Sequence, residues 1–162
     1  MERAKENRID GVERYNKDSV ARIIEKLLTM RTITFDLPWF PKELSPNSRC
    51  HWATVAKHKK TYRETAFVYA KAALTQSGLK APEPGCRVHI TLEFYPPTKR
   101  RYDLDNCLAA MKAGLDGVSD ALKVDDQNFA LTILRFPETG SKVRLTVSYW
   151  GCYTRKDTTW KE

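Results

Sequence analysis

The chain has 162 residues, 41% of them apolar and 30% charged, with 28 Lys and Arg against 20 Asp and Glu and a formal net charge of +8. That length suits a single buried core. The apolar content exceeds that of disordered chains, no run approaches the roughly 18 apolar residues of a membrane span, and Met1-Glu2-Arg3-Ala4-Lys5-Glu6 has none of the apolar character of a signal peptide. The positive excess favours polyanions such as nucleic acid or an anionic membrane surface. Cys50, Cys86, Cys107 and Cys152 form no C-x-x-C pair. A zinc site built from close pairs is therefore not expected, and four reduced thiols in a cytosolic protein are.

In chain order, residues 1–18 are polar. Val20, Ile23, Ile24, Leu27 and Leu28 then recur at helical spacing behind the candidate caps Asp18 and Ser19. Residues 19–28 thus read as a short amphipathic helix in an N-terminal extension, 1–30. The body, 31–150, opens with Thr32-Ile33-Thr34-Phe35-Asp36-Leu37, whose alternation suits a half-buried strand. Pro38, Pro41 and Pro46 impose an irregular loop. A helix over about 53–77 follows, with Val55, Tyr62, Ala66, Tyr69 and Ala73 as its stripe and Gly78 and Pro82 at its end.

Residues 87–95 alternate again as a strand, stopped by Pro96-Pro97. The second helix, about 106–122, has the clearest pattern. Leu108, Met111, Leu115, Val118 and Leu122 fall within an arc of about 80°. Strands near 128–136 and 142–150 flank Pro137-Glu138-Thr139-Gly140-Ser141 and are expected to pair as an antiparallel hairpin. The tail, 151–162, is polar. The order β-α-β-α-β-β predicts one α/β domain, α+β in character, with a mixed sheet and two main helices.

Asp103-Leu104-Asp105-Asn106 is the sharpest local feature. On extended chain, side chains two apart share a side, and two such carboxylates suit Mg²⁺, which takes one or two carboxylates plus waters and phosphate oxygens. Asp105 as a helix cap is the plainer reading, and the two are compatible. Asp125-Asp126 reads as a turn. If the strand after Asp126 lies beside the strand before Asp103, however, its carboxylate can return to the first pair, and three carboxylates together would require a cation. Lys112 lies seven residues after Asp105, about 20° away around a helix. It is placed either to meet a phosphate or to pair weakly with Asp116 at the surface. Lys57, Lys59, Lys60, Arg63 and Lys71, then Lys99, Arg100 and Arg101, are either solvated faces or contacts to phosphates. Trp52, Tyr62 and Tyr102 are either core residues or stacking platforms for bases. His51, His58 and His89 show no ligand spacing.

Taken together, Tyr102-Asp103-Leu104-Asp105-Asn106, the amphipathic helix, Val124-Asp125-Asp126-Gln127, and the opening Leu37-Pro38-Trp39 with Asn47-Ser48-Arg49 resemble the RusA-type Holliday junction resolvases over about residues 31–150. The resemblance implies a homodimeric, Mg²⁺-dependent endonuclease of bacterial or phage origin, cytoplasmic, with Mn²⁺ as a substitute metal. Such an enzyme cuts four-way DNA junctions in recombination and repair. By position Asp103, Asp105 and Asp126 match the family's metal-binding catalytic acids. The family's helix lysine falls on Ala109, so Lys112, one turn on, is its nearest replacement. Lys57, Lys60, Arg63, Lys71, Lys99, Arg100 and Arg101 are the expected DNA contacts. The competing expectation is a non-catalytic nucleic-acid-binding protein whose acids serve as caps. A phosphohydrolase of small nucleotides is less well supported, because no Gly-rich phosphate loop is present.

Overall fold

The computed structural model describes residues 30–150. The N-terminal helix and the polar tail lie outside the described residues. Within them the expected order is met: β1 (Met30–Pro38), α1 (Trp52–Ser77), β2 (Val88–Tyr95), α2 (Leu104–Leu122), β3 (Phe129–Arg135) and β4 (Lys142–Trp150) form one α+β domain around a single four-stranded sheet. No helix among the described residues is long and apolar enough to cross a membrane.

The sheet order is β1-β4-β2-β3. β4 is antiparallel to both β1 and β2, and β3 runs parallel to β2, with Val88 opposite Phe129 and Phe94 opposite Arg135. The expected β3–β4 hairpin does not form. Instead the chain passes the end of β2, where Phe136 N–H donates to Phe94 C=O and Gly140 N–H to Pro96 C=O. β4 then inserts between β1 and β2. Burial explains this choice. Val143, Leu145, Val147 and Tyr149 are fully buried, as a central strand requires, whereas Leu131 and Leu134 of β3 remain about 40% exposed (39% and 41%). Side-chain alternation alone cannot distinguish a central strand from an edge strand.

Both helices cover the face formed by Val88, Ile90, Leu92, Phe94 and the inward residues of β4. On α1 the buried stripe is Tyr62, Ala66, Ala70 and Leu74, a step of four. Tyr69, expected inside, is 45% exposed. The reason is the closeness of α2. Small residues must face it, and a Cβ built on Gly117 would lie 2.2 Å from the Arg63 carbonyl oxygen. α2 is buried around most of its circumference, leaving Leu104, Asp105, Ala109, Lys112 and Asp120 exposed. Tyr62 donates its hydroxyl to the Pro38 carbonyl, 3.0 Å away, tying α1 to the end of β1, and burial raises its pKa. Tyr62 is therefore a core residue and is not available to stack on a base.

On the opposite face of the sheet, Thr32 meets Ser148 and Thr34 meets Thr146, each at 3.2 Å. Asp36 accepts from Lys142 at 2.6 Å and from Arg144 at 2.8 Å. Cys50 and Cys107 carry free thiols, but Cys86 is disulfide-bonded, which corrects the expectation of four reduced thiols. Sequence spacing cannot show which distant cysteines tertiary packing brings within bonding distance.

Candidate active site

Pro96-Pro97 end β2, and the basic loop Lys99-Arg100-Arg101, exposed throughout, leads back to α2. Tyr102 anchors this loop. Its ring packs edge-on against Trp39 at 5.4 Å, and its carbonyl accepts from Arg135 Nη1 at 3.2 Å. Asp103 then takes the N-cap position of α2 in extended backbone, but its carboxylate caps no N–H. Oδ2 instead accepts from Asn106 Nδ2 at 3.3 Å. Asp105 lies in the first turn and makes no hydrogen bond or ion pair among the described residues. The expectation that Asp105 caps the helix is therefore not met. Both carboxylates are exposed beside a positive helix terminus. Their field reaches Cys107 in the next turn, whose thiol is pushed up to about 11, first by burial and then by Asp103 and Asp105.

Asp125 and Asp126 have different roles. Asp125 caps a 3-10 turn over Asp126–Asn128, its Oδ1 accepting from Gln127 N–H at 3.0 Å. Asp126 Oδ2 instead faces Lys112 Nζ at 3.5 Å, and Lys112 also lies 3.9 Å from Asp116. Asp125 thus follows the turn reading, and Asp126 is the acid that stands with the lysine.

β3 does lie beside β2, but in parallel, and the consequence differs from the expected one. The first acids follow the C-terminal end of β2, level with Arg135, whereas Asp126 precedes the N-terminal end of β3, level with Val88. These anchoring points are a strand length apart, roughly 20 Å for seven residues. Among the described residues no group of three His, Cys, Asp or Glu side chains could hold a metal ion. One chain therefore presents Asp103 and Asp105 at the start of α2 and Asp126 beside Lys112, which lies seven residues after Asp105 on the same helix, about 10 Å along its axis. As hard oxygen donors that leave the α2 cap unfilled, these carboxylates suit Mg²⁺ chemically, but the third does not join the first two within a chain.

The basic residues also divide. Lys59, Lys60, Arg63 and Lys112 line a cleft of about 360 Å³ between α1 and α2, with Asp116 and three alanines. Lys57 and Lys71 are exposed on α1 outside its lining. Arg63 is engaged structurally, donating to Asp120 at 2.7 and 2.9 Å, which raises its own pKa and lowers that of Asp120. Trp52 is 75% exposed, as a stacking platform would need to be. Arg135, a cation at the first acids, escaped the sequence reading. No local signal marks it, because only the β2–β3 register brings it to Tyr102.

This arrangement is an α+β domain whose mixed sheet carries helices on one face, with exposed carboxylates at the β2–α2 and α2–β3 connections beside exposed cations. No family model matches the chain. An uncharacterized protein of Xylella fastidiosa is 45% identical over 100 residues, covering 62% of this chain and 63% of that protein. The crossover junction endodeoxyribonuclease RusA of Escherichia coli K12 is 30% identical over 129 residues, 75% of this chain and 98% of its own length. The Shigella sonnei enzyme of the same name matches to the same extent. The chain belongs to the RusA family.

Proposed function

We propose that this chain is a divalent-metal-dependent endonuclease that resolves four-way DNA junctions as a two-fold homodimer. The observation that carries the reading is the position of Asp103, at a helix N-cap with its carboxylate unused by the helix and two residues from a second exposed carboxylate. Capping would explain acids at this place, and it does not operate here. Family membership and the division of labour between Asp125 and Asp126 support the same reading.

Asp103 and Asp105 from one protomer, with Asp126 from the other, would hold Mg²⁺, for which Mn²⁺ substitutes. Bound there, the ion supplies charge neutralisation on the phosphoryl oxygens and a water of lowered pKa. Lys112 would offset charge developing on the phosphate, and its present partner Asp126 keeps its ammonium at that position. Lys57, Lys60, Lys71, Lys99, Arg100 and Arg101 would bind the phosphates of the junction arms. A four-way junction has symmetry-related scissile bonds, and a two-fold dimer yields two complete sites for paired cuts.

The test is cleavage of a synthetic four-way junction with and without Mg²⁺, using the wild type, Asp103→Asn and Asp126→Asn. Loss of cutting by at least two orders of magnitude in each variant, with junction binding intact, is expected. Full cleavage by Asp103→Asn defeats the proposal. A second reading is favoured by the want of a three-donor group among the described residues of one chain: a non-catalytic binder of branched nucleic acid, which would bind junctions yet never nick them in Mg²⁺ or Mn²⁺.

A further inference from the structure

Trp52 is the most exposed large apolar side chain among the described residues, at 75%, although tryptophan is on average a well-buried residue type. It opens α1 well ahead of Tyr62, where the buried stripe of that helix begins. Its position is fixed locally. His51 caps α1, its Nδ1 accepting from Ala53 N–H at 3.3 Å, and the His51 and Trp52 rings lie 5.5 Å apart. At 100° per residue, Trp52, Ala56, Lys59 and Arg63 fall within an arc of about 60° on one face of α1. Lys59 and Arg63 line the cleft between the helices together with Lys60 and Lys112. The indole therefore heads a row of cations that runs into the cleft, about 10 Å from Lys59 along the helix axis.

α1 and α2 also run in the same direction. Lys59 and Lys60 share the cleft with Ala109 and Lys112, Tyr62 donates to Met111 Sδ at 3.4 Å, and Arg63 meets Asp120 further on. Contacts thus advance together along both helices. Trp52 at the start of α1 and Asp103 and Asp105 at the start of α2 consequently lie at the same end of the helix layer.

We infer that Trp52 stacks on a nucleobase at the branch point of the junction, and that this contact selects branched over linear DNA. The inference rests on the proposed function for its substrate and goes beyond it by naming the residue that tells a junction from a duplex. Inside a continuous duplex each base is covered on both faces by its neighbours, whereas a branch point leaves base faces open. An aromatic ring stacks on any base, so the contact reads an open face and not a sequence. Charge complementarity identifies the occupant: a row of lysines and an arginine behind the ring suits the phosphates of the same strand, and repels a second copy of a chain whose net charge is +8.

The experiment measures binding of the full-length wild type, Trp52→Ala and Trp52→Phe to a four-way junction and to a linear duplex of the same sequence. Divalent metal is left out, so that no cutting intervenes. The position is exposed, and unchanged circular dichroism and thermal melting are expected for both variants. Trp52→Ala should weaken junction binding about ten-fold, as the loss of one stacked base does, and duplex binding less than about two-fold. Trp52→Phe should recover most of the junction affinity. With 2-aminopurine placed in turn at each position flanking the branch point, the wild type should quench at least one of them and Trp52→Ala should not. Equal losses on junction and duplex, no loss at all, or quenching that Trp52→Ala retains overturns the inference. A Trp52-dependent preference for junctions in a protein that never cuts them in Mg²⁺ leaves the stacking contact standing and refutes the proposed endonuclease instead.

Discussion

Asp125 and Asp126 are identical side chains one residue apart, and they should respond differently to replacement. Asp125→Ala removes a turn cap and should cost about 0.5–1 kcal/mol in chemical denaturation, with cleavage per folded molecule preserved. Asp126→Ala should change stability by less than about 0.5 kcal/mol, as an exposed site does, and should abolish cleavage. Reversed results would move the third acid to Asp125. For Lys112, whose ion pairs are exposed, Lys112→Gln should leave the melting temperature unchanged and lower the single-turnover rate at saturating junction. Lys112→Arg should recover part of that rate, because charge at this position is the property required.

At the scale of elements, three ion pairs and one close approach join neighbours within each layer: Asp36 with Lys142 and Arg144 ties β1 to β4, and Arg63–Asp120 and the Gly117 contact tie α1 to α2. The Arg144 guanidinium first, and Lys142 with it, keeps the Asp36 carboxyl below its usual range, and Arg63 does the same for Asp120. A depressed folded-state pKa contributes stability that is present above the ordinary carboxylate value of about 3.9 and is lost as pH falls through the folded value. Thermal melts should therefore drop below about pH 4, and an Asp36→Asn/Asp120→Asn variant should show a shallower drop from a lower plateau. The effect is modest, since both pairs are partly solvated. Gly117 is the more severe constraint. Gly117→Ala drives a methyl into the backbone of α1 and should cost roughly 1–3 kcal/mol, read by urea denaturation.

For the whole molecule, the net charge of +8 predicts junction affinity that falls steeply with salt. Replacing Lys99, Arg100 and Arg101 by Ala should weaken binding at every salt concentration. It should also flatten the slope of log affinity against log salt by about 0.9 for each phosphate contact removed. An unchanged slope in titrations across salt would take the loop out of the DNA interface.

The elements were legible in the sequence because they depend on local periodicity. The alternation in β2 and β4, the three-and-four spacing of Leu108 to Leu122, and the prolines and Gly78 that punctuate them mark every strand and helix of the described body within a few residues. The D-x-D-N and D-D motifs likewise pointed to carboxylate chemistry and to a family. The tertiary structure decided how these pieces meet. Whether β4 pairs with β3 or slips between β1 and β2 depends on which strand has enough apolar surface to be buried on both flanks, and alternation looks the same in either case. Packing of the two helices selected Ala66 and Ala70 over Tyr69, because the distance between them leaves room only for small side chains. The parallel course of β3 beside β2 brings the chain at Asp126 in at the opposite strand end from the loop that carries Asp103, although Lys112 of α2 reaches it. A motif records the order of residues along the chain, and the direction in which neighbouring strands run determines whether that order becomes proximity.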